Sequence, residues 1–425
     1  MTCGARLAAV VPLVALGALA CREPERATTI ELWAMGREGE VVREMTPDFE
    51  RRHPGVRVHV QQIPWSAAHE KLLTAYVGGA MPDVFQVGNT WLPELAALGA
   101  VTALDGRIAG STSVARDDYF PGILDTNVVD GVTWGVPWYV DTRLLFYRRD
   151  LLAAAGVAEP PKTWAAWTDA MTRVRARGGD DRFAILLPLR EWEPPVILAM
   201  QRGAQLLADD DGRGNFASPE VRAAFAFYLD LFTRGLAPRA GDTEVTNVYQ
   251  AFADGELAFL VTGPWNLGEF ARRLPAAMQD RWATAPMPAP AGGDGPGVSL
   301  AGGASLTVAR GTPHGELAWQ LVEYLAEPAQ QLRLNALAGD LPARKSAWET
   351  GGLAHNPRTA AFWTQLQDVR ATPKIPEWER IAARITRYTE AAVRGDLGLD
   401  DALAALDRDV DAILEKRRWL RARAG

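Results

Sequence analysis

Hydrophobic and polar positions change their period along the chain, and each change marks an element. "TTIELWAM" (28–35) reads as a strand. In "REGEVVREM" and just beyond it, Val41, Val42, Met45 and Phe49 recur at the spacing of one helical face. Pro47 interrupts that face and predicts a kink or a fresh start at Thr46. "VRVHVQQI" (56–63) alternates, with Val56, Val58 and Val60 on one side of a strand. A helix near Ala67 to Val77 follows, then "DVFQV" (83–87), a short continuous apolar run of the kind seen in buried strands. Strand, helix, strand, helix, strand implies parallel pairing with right-handed crossovers.

The alternation resumes later. Thr163 can cap a helix in which Trp164, Trp167, Met171 and Val174 share a face. Ser218-Pro219 and Thr312-Pro313 each offer a cap followed by proline, which predicts two more helix starts. "ELAFLV" (256–261) and "SLTVA" (305–309) read as strands. From Asp400 to Trp419 the tail is amphipathic through Leu403, Leu406, Val410 and Leu414, and its basic end suits a helix C-terminus. "APMPAPAGGDGPG" (285–297) reads as a crossing or hinge segment.

The N-terminus follows a different rule. Arg6 is its one early basic side chain, and "LAAVVPLVALGALA" (7–20) is apolar but too short for a bilayer span of about 20 residues. Small residues then lead to Cys21, as before a secretory cleavage site. The "ALAC" here resembles the lipobox of bacterial lipoproteins, with Ala18 where leucine is usual and Leu19 one place late. On this reading residues 1–20 are the signal, Cys21 carries the lipid, and 21–27 form a tether; plain cleaved secretion is the alternative. Cys3 and Cys21 are the chain's two cysteines, so the exported part keeps no disulfide and must be held by its core. Roughly 400 residues remain, enough for two or three domains. A net charge of −7 argues against nucleic acid as a partner.

Candidate chemistry is sparse until tryptophan is considered. The five histidines are scattered without metal-ligand spacing, and no nucleophile elbow or P-loop is present. "DDDGRGNFASPE" (209–220) loosely matches a calcium loop, but Arg213 stands where a ligand oxygen is needed, so it reads as a solvated turn. Neither a metal nor a cofactor is expected. Fifteen tryptophans are present. Several stand among Gly, Pro, Asn and carboxylates instead of in periodic apolar runs: "GNTW" (88–91), "VPWYVDTR" (136–143), "REWE" (190–193), "TGPWN" (262–266) and "PEWER" (376–380). Flat rings cover the C–H faces of sugars, and charged or amide groups bond their hydroxyls.

These clusters also carry a family resemblance. "AYVGGAMPDVFQVGNTWLPELAALGAVTAL", "GVTWGVPWYVDTRLLFYRRDLLAAAGVAEPPKTWAAW", "FADGELAFLVTGPWN", and "AGGASLTVARGTPHGELAWQLVEYLAEPAQQLRL" followed by "GDLPARKSAW" resemble, in that order, extracellular solute-binding proteins of carbohydrate ABC transporters, the maltose-binding relatives. The resemblance implies an α/β, two-lobed periplasmic-binding-protein-like fold, each lobe a sheet flanked by helices, with a cleft and hinge between them. Lobe 1 would be 28–137 and 302–343, lobe 2 142–297 and 345–425. Matching positions imply a ligand site of Arg37, Glu38, Asn89, Thr90, Trp91, Trp138, Tyr139, Asp141, Glu191, Trp192, Glu193, Trp265, Arg344 and Trp378. Val87 and Thr90 stand where maltose-binding relatives often carry an aromatic and an acid, which argues against maltose itself. The expected protein is a monomeric, membrane-tethered, non-enzymatic carrier of a di- or oligosaccharide for a membrane permease. Two alternatives stay open. A polyol or glycerol-phosphate cargo would use Arg37 and Arg143. A secreted glycoside hydrolase would pair Asp141 with Glu191 at about 5 to 9.5 Å.

Overall fold

The computed structural model describes residues 1–2, 27–178, 182–239, 247–290 and 295–424. Cys3, Cys21 and the signal and tether readings lie outside the described residues, as does part of the 285–297 segment.

Two sheets organise the chain. The first strands are β1 (Thr28–Met35), β2 (Val56–Ile63) and β3 (Val84–Gly88), linked by helices α1 (Gly36–Arg52) and α2 (Trp65–Val77). β1 pairs in parallel with both β2 and β3. β3 is buried throughout, as its unbroken apolar run requires. Later segments complete the sheet. β4 (Val136–Asp141), β9 (Gly302–Val308) and β10 (Leu341–Pro342) join it antiparallel, in the order β10-β4-β9-β3-β1-β2. The second sheet contains β5 (Leu144–Arg148), β6 (Ile185–Leu186), β7 (Phe259–Thr262) and β8 (Trp282–Ala285), in the order β8-β5-β7-β6. Ile30, Leu32 and Ala34 are fully buried beneath α1, whose Val41, Val42, Met45 and Phe49 supply the facing apolar stripe. Trp164, Trp167 and Met171 lie in the core beside the second sheet, and the Thr163 hydroxyl caps their helix by accepting from Ala166 N at 3.1 Å.

Three expectations need correction. α1 runs unbroken through Pro47. The carbonyl that Pro47 leaves without a partner is that of Arg43, and the Thr46 hydroxyl donates to it at 3.3 Å. The helix expected at Thr312-Pro313 starts instead at Gly315. The Thr312 hydroxyl donates to Asp83 and accepts from His314 N, closing a turn before the helix. The tail is two helices, Leu399–Ile413 and Glu415–Ala424. Its basic end turns back on the acidic turn at 209–211, where Arg421 pairs with Asp210 and Arg418 bonds Gly212 O.

The chain passes between the sheets at Thr142–Arg143, immediately after β4. Near the next passage, Ser299–Leu300 pairs in parallel with Val369–Arg370. Helix Lys345–Thr350 packs on helix Pro328–Ala338 and β10, on the side of the first sheet, whereas helix Ala360–Gln365 packs on β5 and β8 of the second. Helices Trp378–Arg394 and Leu399–Ile413 share the second sheet's core. Each sheet and its covering helices are thus drawn from separated stretches of the chain.

Candidate functional site

The ends of strands from both sheets converge on a cleft of about 510 Å³. From the first sheet come Arg37 and Glu38 in the first turn of α1, Asn89, Thr90 and Trp91 after β3, and Tyr139 and Asp141 in β4. Facing them are Trp192 and Glu193 at the start of helix Glu193–Gln201, and Pro264 and Trp265 after β7. Trp65, Gly303 and Asp340, which the tryptophan clusters did not single out, also line it.

The floor on the first-sheet side is built from hydrogen bonds. Gln86 accepts from Met35 N at 2.7 Å and donates to the Tyr139 hydroxyl at 3.0 Å, which fixes the ring beside Glu38 and Asp340. Burial raises the Glu38 carboxyl above its ordinary range, against the hydrogen bonds it receives, first from its own backbone. Burial, and then the charge of Glu38, push the Asp340 carboxyl well above its usual value. Two buried carboxyls at such close quarters favour holding a proton between them. Ser305 donates to Asn89 Oδ1 at 3.0 Å and so orients the amide. Asn89 Nδ2 is left buried with no hydrogen-bond partner, whereas Glu38 and Asp340 bond to each other. Gly303 has a φ of +134°, and a Cβ there would collide with the Tyr139 carbonyl oxygen, so only glycine lets β9 approach this floor.

The opposite wall is organised by Arg143, which the site expectation omitted. Its guanidinium bonds Asp141 at 2.8 Å and Glu193 at 3.0 Å, and lies 3.7 Å from Glu191. It stacks over the Trp265 ring at 4.5 Å. Its own carbonyl accepts from Ser299 at 2.6 Å, which ties the first passage between the sheets to the second. The neighbouring carboxylates hold it firmly protonated despite its burial. Trp265 also rests on Gly263, where a Cβ would overlap the indole. The indole is therefore pinned in place, with its pose set by a glycine and a cation.

Four expected residues take other positions. Trp138 and Trp378 are fully buried in the core. In a strand, neighbours point to opposite faces, so Tyr139 meets the cleft while Trp138 does not. Trp378 supports the cleft from behind, edge-on to Trp192 with ring centres 5.3 Å apart. Arg344 is buried in an ion pair with Asp118 and does not line the cleft. Glu191 lines an adjoining cavity on which Trp265 also borders.

A cleft rimmed by strand ends of two sheets, reached by short passages of chain, defines a two-lobed α/β protein of the binding-protein class. The chain belongs to the bacterial extracellular solute-binding protein family, whose sequence model matches residues 35–332. Among solved structures it is similar to the sugar-binding protein MalE of the phytopathogen Xanthomonas citri, with 47% identity and a TM-score of 0.89, covering 94% of this chain and all of that one. The GacH receptor of Streptomyces glaucescens, solved unliganded and with acarbose, is 25% identical with a TM-score of 0.78, covering 92% of this chain and 99% of that one. The diacetylchitobiose binding protein DasA of Streptomyces coelicolor is 26% identical across 88% of this chain and 87% of its own length. Among the described residues no helix is long and apolar enough to cross a membrane.

Proposed function

We propose that the cleft captures a neutral di- or oligosaccharide and that the loaded protein delivers it to an ABC-transporter permease. The observation that carries this reading is the polar wall of the cleft, where Asn89 Nδ2 is buried without a hydrogen-bond partner beside the Glu38–Asp340 carboxyl pair. A buried amide donor left unmet costs about 1–3 kcal/mol, which a ligand hydroxyl relieves by accepting from it. Trp65, Trp91, Trp192 and Trp265 add the flat apolar faces that cover sugar rings. The names of the relatives, a sugar-binding MalE and a diacetylchitobiose binding protein, support the same cargo class.

Charge weighs against a phosphorylated cargo. Glu38, Asp141, Glu193 and Asp340 line the cleft, Arg37 pairs with Glu40, and Arg143 is already held by carboxylates. The hydrolase reading loses its acid for a related reason. Asp141 and Glu191 both face the same guanidinium, so neither is placed as a separate proton donor. We place lobe 1 at 28–141 with 302–350, and lobe 2 at 144–297 with 360–424. The protein acts as a monomer, carried outside the cytoplasmic membrane on a lipid at Cys21.

The test is a calorimetric titration of the fragment 27–425 with neutral mono-, di- and oligosaccharides and with glycerol phosphate. A neutral sugar should bind near micromolar affinity, about −8 kcal/mol, and be recovered intact. Binding of glycerol phosphate alone would overturn the cargo class, and repeated product release would move the protein to the hydrolases.

A further inference from the structure

Helix Glu415–Ala424 carries five cations and one acid, in a chain whose net charge is −7. The cations divide between two faces. Leu414, just before the helix, is fully buried in the second sheet's core. Arg417 pairs with Glu377 at 3.4 Å, Arg418 donates to Gly212 O at 2.8 Å, and Arg421 pairs with Asp210 at 2.8 Å. These three hold the helix to the rest of the molecule. Among the described residues no carboxylate pairs with Lys416 or Arg423.

The outward face follows the spacing i, i+3, i+4, i+7 through Lys416, Trp419, Leu420 and Arg423. All four are exposed. Trp419 keeps 52% of its surface in water and Leu420 50%, so neither serves the core. Among the described residues after Met1, the other large apolar side chains this exposed are Trp65, Val77 and Leu98, and no two of those are consecutive. The Arg423 guanidinium lies 3.9 Å over the Trp419 ring, so cation and indole present one surface.

What covers such a face must accept an indole and a leucine and must answer two cations. The interface of an anionic bilayer meets both conditions, because indoles settle at headgroup level and lipid phosphates attract nearby Lys and Arg. The chain's overall negative charge does not prevent the approach, since at physiological ionic strength charges beyond about 8 Å are largely screened. The helix is also well placed. None of its residues lines the cleft. The acidic turn beneath it borders a different cavity, which Asp211 shares with Val369 and Arg370. β1 likewise starts at Thr28, at the end away from the cleft, since Arg37 and Glu38 just past its other end line the cleft.

We propose that helix Glu415–Ala424 is an interfacial docking helix, which lays Trp419 and Leu420 into the headgroup region of an anionic membrane with Lys416 and Arg423 on the lipid phosphates. A tether at Cys21 would bring the molecule to the membrane, and the helix sets which side faces it. Such docking is independent of what the cleft carries.

Hydrogen exchange of residues 415–424 in the full chain tests this, on vesicles of phosphatidylcholine alone and on vesicles of phosphatidylcholine and phosphatidylglycerol in equal parts. Exchange at 415–424 should be at least tenfold slower on the anionic vesicles, the order expected of two cations near an anionic surface. The slowing should vanish in about 1 M salt, where the Debye length is about 3 Å. Lys416→Glu with Arg423→Glu should abolish it, as should Trp419→Ser with Leu420→Ser; both pairs leave the contacts of Arg417, Arg418 and Arg421 untouched. Equal exchange of the wild type on the two kinds of vesicle would overturn the proposal, as would slowing that survives both double variants. Slowing on neutral vesicles that grows with the amount of protein would also overturn it, and would assign the face to a second copy of this chain.

Discussion

Asp340 shows how a single residue can set the character of the site. It is nearly excluded from water and bonds the Glu38 carboxyl. Burial raises its folded-state pKa well above that of an ordinary aspartate. A carboxyl raised on folding stabilises the protein below its unfolded pKa, and that contribution is lost as pH rises through the folded value. Asp340→Asn keeps the shape and removes the titration. Denaturant unfolding of both forms from acid to mildly alkaline pH should therefore show the wild type losing ground to the variant as pH rises. A constant difference between them across the range would mean that Asp340 is ionised in the folded protein. Arg143 works in the opposite sense, since its charge is the partner that three carboxylates require.

Among the elements, α1 is the clearest case of a local rule overridden. A proline inside a helix costs about 3 kcal/mol when its consequences are left unanswered. Here the chain places Thr46 next to it, and the hydroxyl takes up the Arg43 carbonyl. The apolar stripe on both sides of Pro47 packs against the first sheet, so tertiary burial favours one continuous helix. Thr46→Val keeps the side chain's shape and leaves that carbonyl without its donor. It should cost roughly 0.5–1.5 kcal/mol in urea unfolding, with sugar affinity unchanged. No loss of stability would show that the carbonyl is met by another group.

For the whole molecule, the cleft lies between two lobes, and a ligand can favour the closed form only by binding it more tightly. On the proposed reading, buried polar groups on lobe 1 and the pinned indole on lobe 2 would supply that difference, because both would meet the same ligand only when the lobes are together. Periplasmic binding proteins as a class close around their ligands about hinges of this kind. A lipid at Cys21 would hold the molecule near its permease and raise the effective concentration there. Cys21→Ser should move the protein from the membrane fraction to the soluble one, or leave the signal uncleaved. Equal membrane retention of both forms after signal removal would contradict the tether.

The sequence by itself determined the local elements and the kind of chemistry on offer. β1, β2 and β3 were legible because an apolar period is a property of neighbouring residues, and the mixed tryptophan clusters were legible because sugars need rings and polar groups side by side. Facing and partnership were decided only by the tertiary structure. Trp138 and Tyr139 are adjacent and chemically alike, and the strand's pleat sends one to the core and the other to the cleft. Trp378 stands among carboxylates yet lies on the buried face of its helix. Glu38 and Asp340 are far apart in the chain and meet only because β10 pairs with β4 across from α1's first turn. Arg143 read as a possible anion ligand until folding brought Asp141, Glu191 and Glu193 around it. Periodicity records how a segment meets its surroundings on average, whereas a binding site depends on which distant segments share one wall.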